Sequence, residues 1–203
     1  MNAEDIVKVV APLWDQEVKP LLEPAACIAA CRTLAEVFDY FKIDYAVVPV
    51  SVVVANDLGF ESMGCVHPDE FPTAAWTIGV DPSSSHGGWG GHLVVITADE
   101  PRLYIDLDAR QFDRPLQRIE TGGPVIHPYA DFDLVKRSEE GLEQFAFGML
   151  HKPLIQGHYL WVPNMNNETF LDAKDWTHQY DSVIGEAIRR CKGRSPRVLD
   201  RIR

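Results

Sequence analysis

The chain has 203 residues, of which 46% are hydrophobic and 24% are charged, as in an ordinary globular domain. Its net charge of −11 disfavours binding to nucleic acid or to an anionic membrane surface. No apolar run is long enough to predict a transmembrane helix, and the acidic N-terminus does not resemble a signal peptide. With four cysteines and no export signal, we expect reduced thiols and a cytoplasmic location, in a bacterium or a phage-infected cell.

Two helices and a strand are predicted in the first quarter of the chain. Apolar residues at helical spacing predict a first helix over residues 3–18. A second helix is predicted over residues 25–42, since Pro24 suits its first turn and an apolar stripe follows. The β-branched run YAVVPVSVVV (45–54) predicts a buried strand, in which Pro49 indicates an edge position or a bulge.

The middle of the chain predicts further strands. Residues 55–72 are interpreted as a loop, and TAAWTIGV (73–80) as a strand. The loop DPSSSHGGWGG (81–91) leads into the clearest hairpin pattern, HLVVITA (92–98) and RLYIDLDARQF (102–112), joined by a short acidic turn.

The C-terminal part has a mixed pattern, with a helix predicted from Ser138, a strand over residues 158–164 and a last helix over residues 171–191. This order of elements predicts an α+β fold with an antiparallel sheet packed on a helix. We expect one domain over residues 1–203, in which residues 113–203 extend the core formed by residues 1–112.

Cys27 is the first candidate for chemistry. It lies in the first turn of the predicted second helix, where the partial positive charge and free N–H groups lower a thiol pKa and bind an oxyanion. Cys31 lies one turn deeper and gains neither benefit, so we interpret it as core filler.

His92 is the candidate base, because a glycine-rich loop enters a strand there. The paired strand carries Asp106 and Asp108 on one predicted face. Charged aspartates in an apolar strand need partners, and an imidazole N–H is one such partner. Either aspartate could therefore orient His92.

A family resemblance selects among these residues. The stretch AACRTLAEVFDYFKIDYAVVPV after Cys27 resembles the helix and strand of the transglutaminase-like superfamily, to which the arylamine N-acetyltransferases are related. The segment GGHLVVITADEPRLYIDLDARQF follows in the family's order, and its end is similar to the family ending iDlTadQF. The resemblance covers residues 24–112.

The resemblance implies a papain-like core with a triad of Cys27, His92 and Asp106. It makes Asp108 the equivalent of a residue that is often threonine, so Asp108→Thr is expected to have only a mild effect on acyl transfer. It also implies an oxyanion or substrate contact from one of four further residues, Trp14, Trp76, Trp89 and Gln111.

The predicted function is cysteine-dependent acyl transfer on a peptide, protein or small acyl substrate, with water or an amine as acceptor and no cofactor. The alternative is a catalytically silent binding or assembly module of the same fold, of the kind a phage or mobile element would carry. The neighbours of Cys27 differ from those of the family and favour the alternative, whereas the order of Cys, His and Asp favours the enzyme.

Other interpretations of these residues are weaker. Cys27, Cys31, Cys65 and His67 could be counted as zinc ligands, but their spacing matches no recognised zinc motif. The loop 81–91 lacks the phosphate-binding pattern and is better interpreted as a loop flanking an active site. Cys191 is expected to be inert, and the basic tail after it to be disordered.

Overall fold

The structure is a computed structural model. It describes residues 1–21, 26–62, 76–78, 92–98, 100–128, 150–163 and 181–194. In this part of the chain, no helix combines the length and the apolar character needed to cross a bilayer. The helix expected from Ser138, the loop 81–91 and residues 195–203 of the basic tail lie outside the described residues, whereas residues 192–194 of that tail end a helix and not a disordered segment.

Four α-helices are described: α1 (Ala3–Leu13), α2 (Cys27–Phe41), α3 (Asp57–Ser62) and α4 (Asp181–Arg194). Helix α1 begins at Asn2, whose side chain accepts a hydrogen bond from Asp5 N at 2.8 Å. The first predicted helix continues past α1 as a π-helical turn at Trp14–Val18. Helix α3 lies where a loop was expected, since the Asn56 side chain accepts from Gly59 N and caps it.

Seven strands form one antiparallel sheet in the described part: β1 (Tyr45–Ala55), β2 (Trp76–Ile78), β3 (His92–Thr97), β4 (Leu103–Asp106), β5 (Val125–Pro128), β6 (Leu150–Pro153) and β7 (His158–Pro163). Their order is β5-β4-β3-β1-β7-β6, and β2 also pairs with β1. The predicted α+β class is confirmed. Strand β1 is internal, but its pairing with β7 begins at Val50, so Pro49 pairs with β3 alone.

The sheet is buried on both faces. Helix α2 packs on β3 at one face, and α1 and α4 pack against α2, in an apolar cluster that includes Leu93 and Ile105. A second cluster, which includes Val94, Tyr104 and Tyr159, covers the opposite face. The N-terminus of α2 therefore lies close to the strands that carry His92 and Asp106.

The register of β3 and β4 sets the relation between His92 and Asp106. Val95 pairs with Ile105 and Ile96 pairs with Tyr104. Continued by one residue, this register sets Asp106 opposite Val94, so Asp106 is a diagonal neighbour of His92 on the same face. The chain leaves the strand after Asp106, and Ala109–Phe112 form a 3₁₀ turn where the sequence predicted continued strand.

Candidate active site

His92 and Asp106 form a buried pair. The His92 Nε2 atom lies 2.8 Å from Asp106 Oδ2, and each residue is 1% exposed. Because a charged carboxylate only accepts hydrogen bonds, the contact requires a proton on Nε2. Asp106 therefore orients the imidazole and fixes its tautomer.

Two further donors hold the carboxylate of Asp106. The Tyr159 hydroxyl donates to Oδ2 at 2.5 Å, and the Asp108 backbone N–H donates to Oδ1 at 2.9 Å. Since Tyr159 donates its proton to Asp106, the Tyr104 hydroxyl, 2.8 Å away, must donate to Tyr159. Asp106 thus accepts hydrogen bonds from three donors inside the protein.

Cys27 is the first residue of α2 and meets His92 there. It is 6% exposed, and its thiol forms a hydrogen bond with the imidazole. Since Asp106 binds Nε2, Nδ1 is the ring nitrogen that faces the sulfur. The structure therefore brings together Cys27, His92 and Asp106, the three residues selected by the sequence.

The surroundings of His92 favour its charged form. Burial by itself lowers the pKa of His92, but the charge and hydrogen bond of Asp106, together with Cys27, outweigh burial and raise the pKa to about 10. Such a raised pKa is typical of a buried imidazole that is held by a carboxylate.

Gln111 reaches the same ring nitrogen as Cys27. Its Nε2 atom lies 3.0 Å from His92 Nδ1, and its side chain is only partly buried. Gln111 belongs to the 3₁₀ turn after β4, and this turn carries its amide back toward the imidazole. Gln111 is thus the partly exposed neighbour of an otherwise buried triad.

Asp108 has a structural place that the sequence did not predict. Because the strand ends at Asp106, Asp108 does not face His92. Its buried carboxylate accepts from Ala26 N at 2.7 Å and pairs with the Lys19 ammonium group. Burial raises the pKa of Asp108 to about 6, although Lys19 and the Ala26 N–H oppose this rise. Asp108 therefore fixes the backbone immediately before Cys27.

The other predicted residues have different positions. Trp14 is buried in the same apolar cluster as Cys27, and within the described part of the chain its indole N–H has no hydrogen-bond acceptor. Trp76 lies on β2, but its side chain is outside the described residues, as is all of Trp89.

Cys31 and Cys191 are buried. Burial, followed by the charges of Cys27, Asp106 and Asp108, raises the pKa of Cys31 well above its usual value. This makes Cys31 a poor nucleophile compared with a thiol that contacts a histidine.

The zinc interpretation finds no support among the described residues. They contain no group of three or more histidine, cysteine or acidic side chains arranged to hold a metal ion. Cys65 and His67, two of the four ligands considered, lie outside the described part of the chain.

Three residues of the site were missed by the sequence analysis. Tyr159 comes from β7, 53 positions after Asp106 in the chain, and Tyr104 and Lys19 were not considered as site residues. Only Tyr104 had a sequence signal, since it shares the strand face of Asp106.

Comparisons of the chain with protein-family models, with curated proteins and with solved structures found no match. The chemistry of the site is therefore inferred from its own residues.

Proposed function

We propose that this chain is a cysteine-dependent acyl-transfer enzyme with a papain-like core of the transglutaminase type. The observation that carries the proposal is the hydrogen-bonded series Cys27–His92–Asp106, at the start of a helix packed on an antiparallel sheet. A thiol, an imidazole in contact with it and a carboxylate on the far ring nitrogen are the three parts that nucleophilic cysteine catalysis needs.

The first half of the reaction forms an acyl-enzyme. His92 Nδ1 takes the thiol proton, and the Cys27 sulfur attacks the carbonyl carbon of an ester, thioester or amide. The carbon–sulfur bond forms as the carbonyl electron pair moves onto oxygen. When the tetrahedral intermediate collapses, the bond to the leaving group breaks, and His92 gives that group its proton.

The second half releases the acyl group to an acceptor. Water or an amine attacks the thioester carbon while His92 Nδ1 takes the acceptor's proton. The carbon–sulfur bond then breaks, and the proton returns to Cys27. Asp106 stays ionised throughout, because its task is to hold Nε2–H and to stabilise the imidazolium.

The proposal is tested with p-nitrophenyl acetate as a generic acyl donor. We expect wild type to release a burst of p-nitrophenol close to one equivalent of enzyme, followed by slower turnover, if deacylation limits the rate. Cys27→Ala removes the attacking atom and abolishes both phases. Cys31→Ala is the matched control on the same helix, one turn away, and keeps them.

Two results would contradict the proposal. One is wild-type release no faster than that of Cys27→Ala, which would favour the catalytically silent module. The other is loss of release in Cys31→Ala while Cys27→Ala stays active, which would show that Cys31 is the nucleophile. Far-ultraviolet circular dichroism of each variant shows that the fold is retained.

A further inference from the structure

We propose that Asp108 is a positioning residue for acyl transfer, which sets the place of Cys27 relative to the pair of His92 and Asp106. This inference rests on the proposed acyl-transfer function and adds a buried residue that acts through the triad. The geometric basis is that Asp108 contacts both ends of the triad. Its backbone N–H donates to Asp106 Oδ1 at 2.9 Å, and its Oδ2 accepts from Ala26 N at 2.7 Å, immediately before Cys27.

The start of α2 is fixed by a distant residue and not by a cap of its own. The N-cap residue is Ala26, which has no side-chain oxygen and belongs to the poorest residues at this position. The backbone N–H of Ala26 is held instead by Asp108, 82 positions further along the chain. The carbonyl of Ala26 begins the helical hydrogen bonds, since it accepts from Ala30 N at 2.9 Å. The place of Cys27, the next residue, therefore depends on the contact with Asp108.

Asp108 is itself held in a fixed relation to the acid of the triad. It follows β4 by two residues, and its N–H is bound to the Asp106 carboxylate. Its carbonyl accepts from Gln111 N at 3.0 Å, which closes the 3₁₀ turn after the strand. With the backbone held on both sides and the side chain buried, the carboxylate is a fixed point against which α2 is placed.

The Lys19 ammonium group supports this anchor. It pairs with Oδ1 of Asp108, so that Oδ2 remains for Ala26 N. A buried carboxylate keeps its charge only beside such a partner. The pKa of Asp108 is raised by burial to about 6, so Asp108 is ionised at neutral pH. What the Ala26 N–H requires, however, is an acceptor oxygen and not a charge. A neutral side chain with an oxygen in the same place should therefore also position Cys27.

A displacement of Cys27 is expected to affect the reaction more than the fold. The thiol must lie against the imidazole to give up its proton, and it must also reach a carbonyl carbon. A misplacement of about 1 Å is enough to cost about 100-fold in rate. Cys31, one turn deeper, is buried in the apolar cluster between α2 and the sheet, which does not depend on the Ala26 contact.

The test compares two double variants, Lys19→Met/Asp108→Asn and Lys19→Met/Asp108→Leu. Both replace the buried ion pair with neutral side chains, both keep the backbone N–H at position 108, and asparagine and leucine both branch at Cγ as aspartate does. Asparagine retains an oxygen that can accept from Ala26 N, whereas leucine has none. With p-nitrophenyl acetate, we expect the leucine variant to lose about 100-fold in the acylation rate read from the burst, and the asparagine variant to stay within about threefold of wild type.

Two readouts separate positioning from stability. Iodoacetamide labelling of Cys27 should fall in the leucine variant together with acylation, because both reactions need the thiol against His92. Labelling of Cys31 should stay as slow as in wild type, because the core around it is intact. Urea unfolding of each variant gives the folded fraction by which the rates are corrected. Should the leucine variant not fold, Lys19→Met/Asp108→Ala provides the same comparison, since alanine also lacks an acceptor.

Equal acylation rates in the asparagine and leucine variants, after correction for the folded fraction, would overturn the proposal. Faster labelling of Cys31 in the leucine variant, or failure of both acceptor-free variants to fold, would also overturn it and assign Asp108 to fold stability alone. In each of these cases, Cys27-dependent turnover in wild type would leave the proposed function intact. Wild-type turnover no faster than that of Cys27→Ala would remove both.

Discussion

The Tyr159 hydroxyl lies 2.5 Å from Oδ2 of Asp106, the same oxygen that accepts the His92 Nε2–H. The residues come from strands at different places in the sheet, β7 and β4, and both are buried. The contact therefore joins the triad to the far part of the sheet and makes Tyr159 a positioning residue for Asp106.

Replacement of Tyr159 by phenylalanine is expected to destabilise the protein by about 1–3 kcal/mol, because it removes a donor from a buried carboxylate and an acceptor from Tyr104. Tyr104→Phe removes the outer hydroxyl of the same chain and is expected to cost less, about 0.5–1.5 kcal/mol. Urea unfolding of the two variants measures both costs. A larger cost for Tyr104→Phe than for Tyr159→Phe would show that Asp106 does not depend on Tyr159.

Asp106→Asn is expected to lower the pKa of His92 from about 10 toward or below its ordinary value of 6.5, since burial then acts with little opposition. In wild type, protonation of His92 stabilises the folded state because its pKa is raised. This contribution is complete below about pH 6.5 and is lost as the pH rises through about 10. Titration of the imidazole carbon-bound protons by NMR measures the shift. An unchanged His92 titration would contradict the role given to Asp106.

The same variant tests the tautomer argument through activity. An asparagine can present its N–H group to His92 and favour the wrong tautomer. Acyl transfer should therefore fall by a factor on the order of 10⁴, as it does for the same substitution in a serine-protease triad. The fold should be retained, as judged by circular dichroism. Acyl transfer within about tenfold of wild type would show that Asp106 does not orient the base.

Asp108→Thr is expected to destabilise the protein by about 3–5 kcal/mol, because Lys19 loses its buried counter-charge and the Ala26 N–H loses its carboxylate acceptor. Lys8→Met breaks the exposed pair of Lys8 with Glu4 and serves as a control, with a much smaller expected cost because solvent screens this pair. Chemical unfolding of both variants provides the comparison. Equal costs would mean that the Lys19–Asp108 pair adds nothing to the fold.

The raised pKa of Asp108 also predicts a dependence of stability on pH. The folded chain holds this proton up to about pH 6, whereas the ordinary value is 3.8, so the folded state binds more protons between these pH values. Stability contributed by this group therefore falls as the pH rises through that window. Asp108→Asn should lack this part of the pH dependence when unfolding free energies are measured from pH 4 to 7. An identical pH dependence in wild type and variant would contradict it.

The sequence predicted the parts of the site that depend on local pattern. Cys27 was selected because it begins an apolar helix, and His92 because it begins a strand. Asp106 and Gln111 followed from the chain order of the hairpin and its resemblance to a known ending. All four meet in the structure.

The parts that were missed depend on contacts between distant segments or on the end of a strand. Nothing local in β7 signals that the Tyr159 hydroxyl meets Asp106. The contact depends on the strand order, in which β3 and β1 lie between β4 and β7. Asp108 was misplaced because alternation predicts a face only while the strand lasts, and β4 ends at Asp106. Its partner Lys19 comes from the segment between the first two helices, where no sequence pattern indicates pairing.

In the proposed mechanism His92 activates Cys27, and the rate at which each thiol reacts measures this activation directly. A brief pulse of iodoacetamide at neutral pH, followed by peptide mapping, gives the rates for Cys27, Cys31 and Cys191 in one sample. We expect Cys27 to be alkylated first and His92→Ala to remove this advantage, because the variant has no imidazole to support the thiolate. Labelling of Cys27 no faster than that of Cys31 and Cys191, or an advantage that survives in His92→Ala, would contradict it.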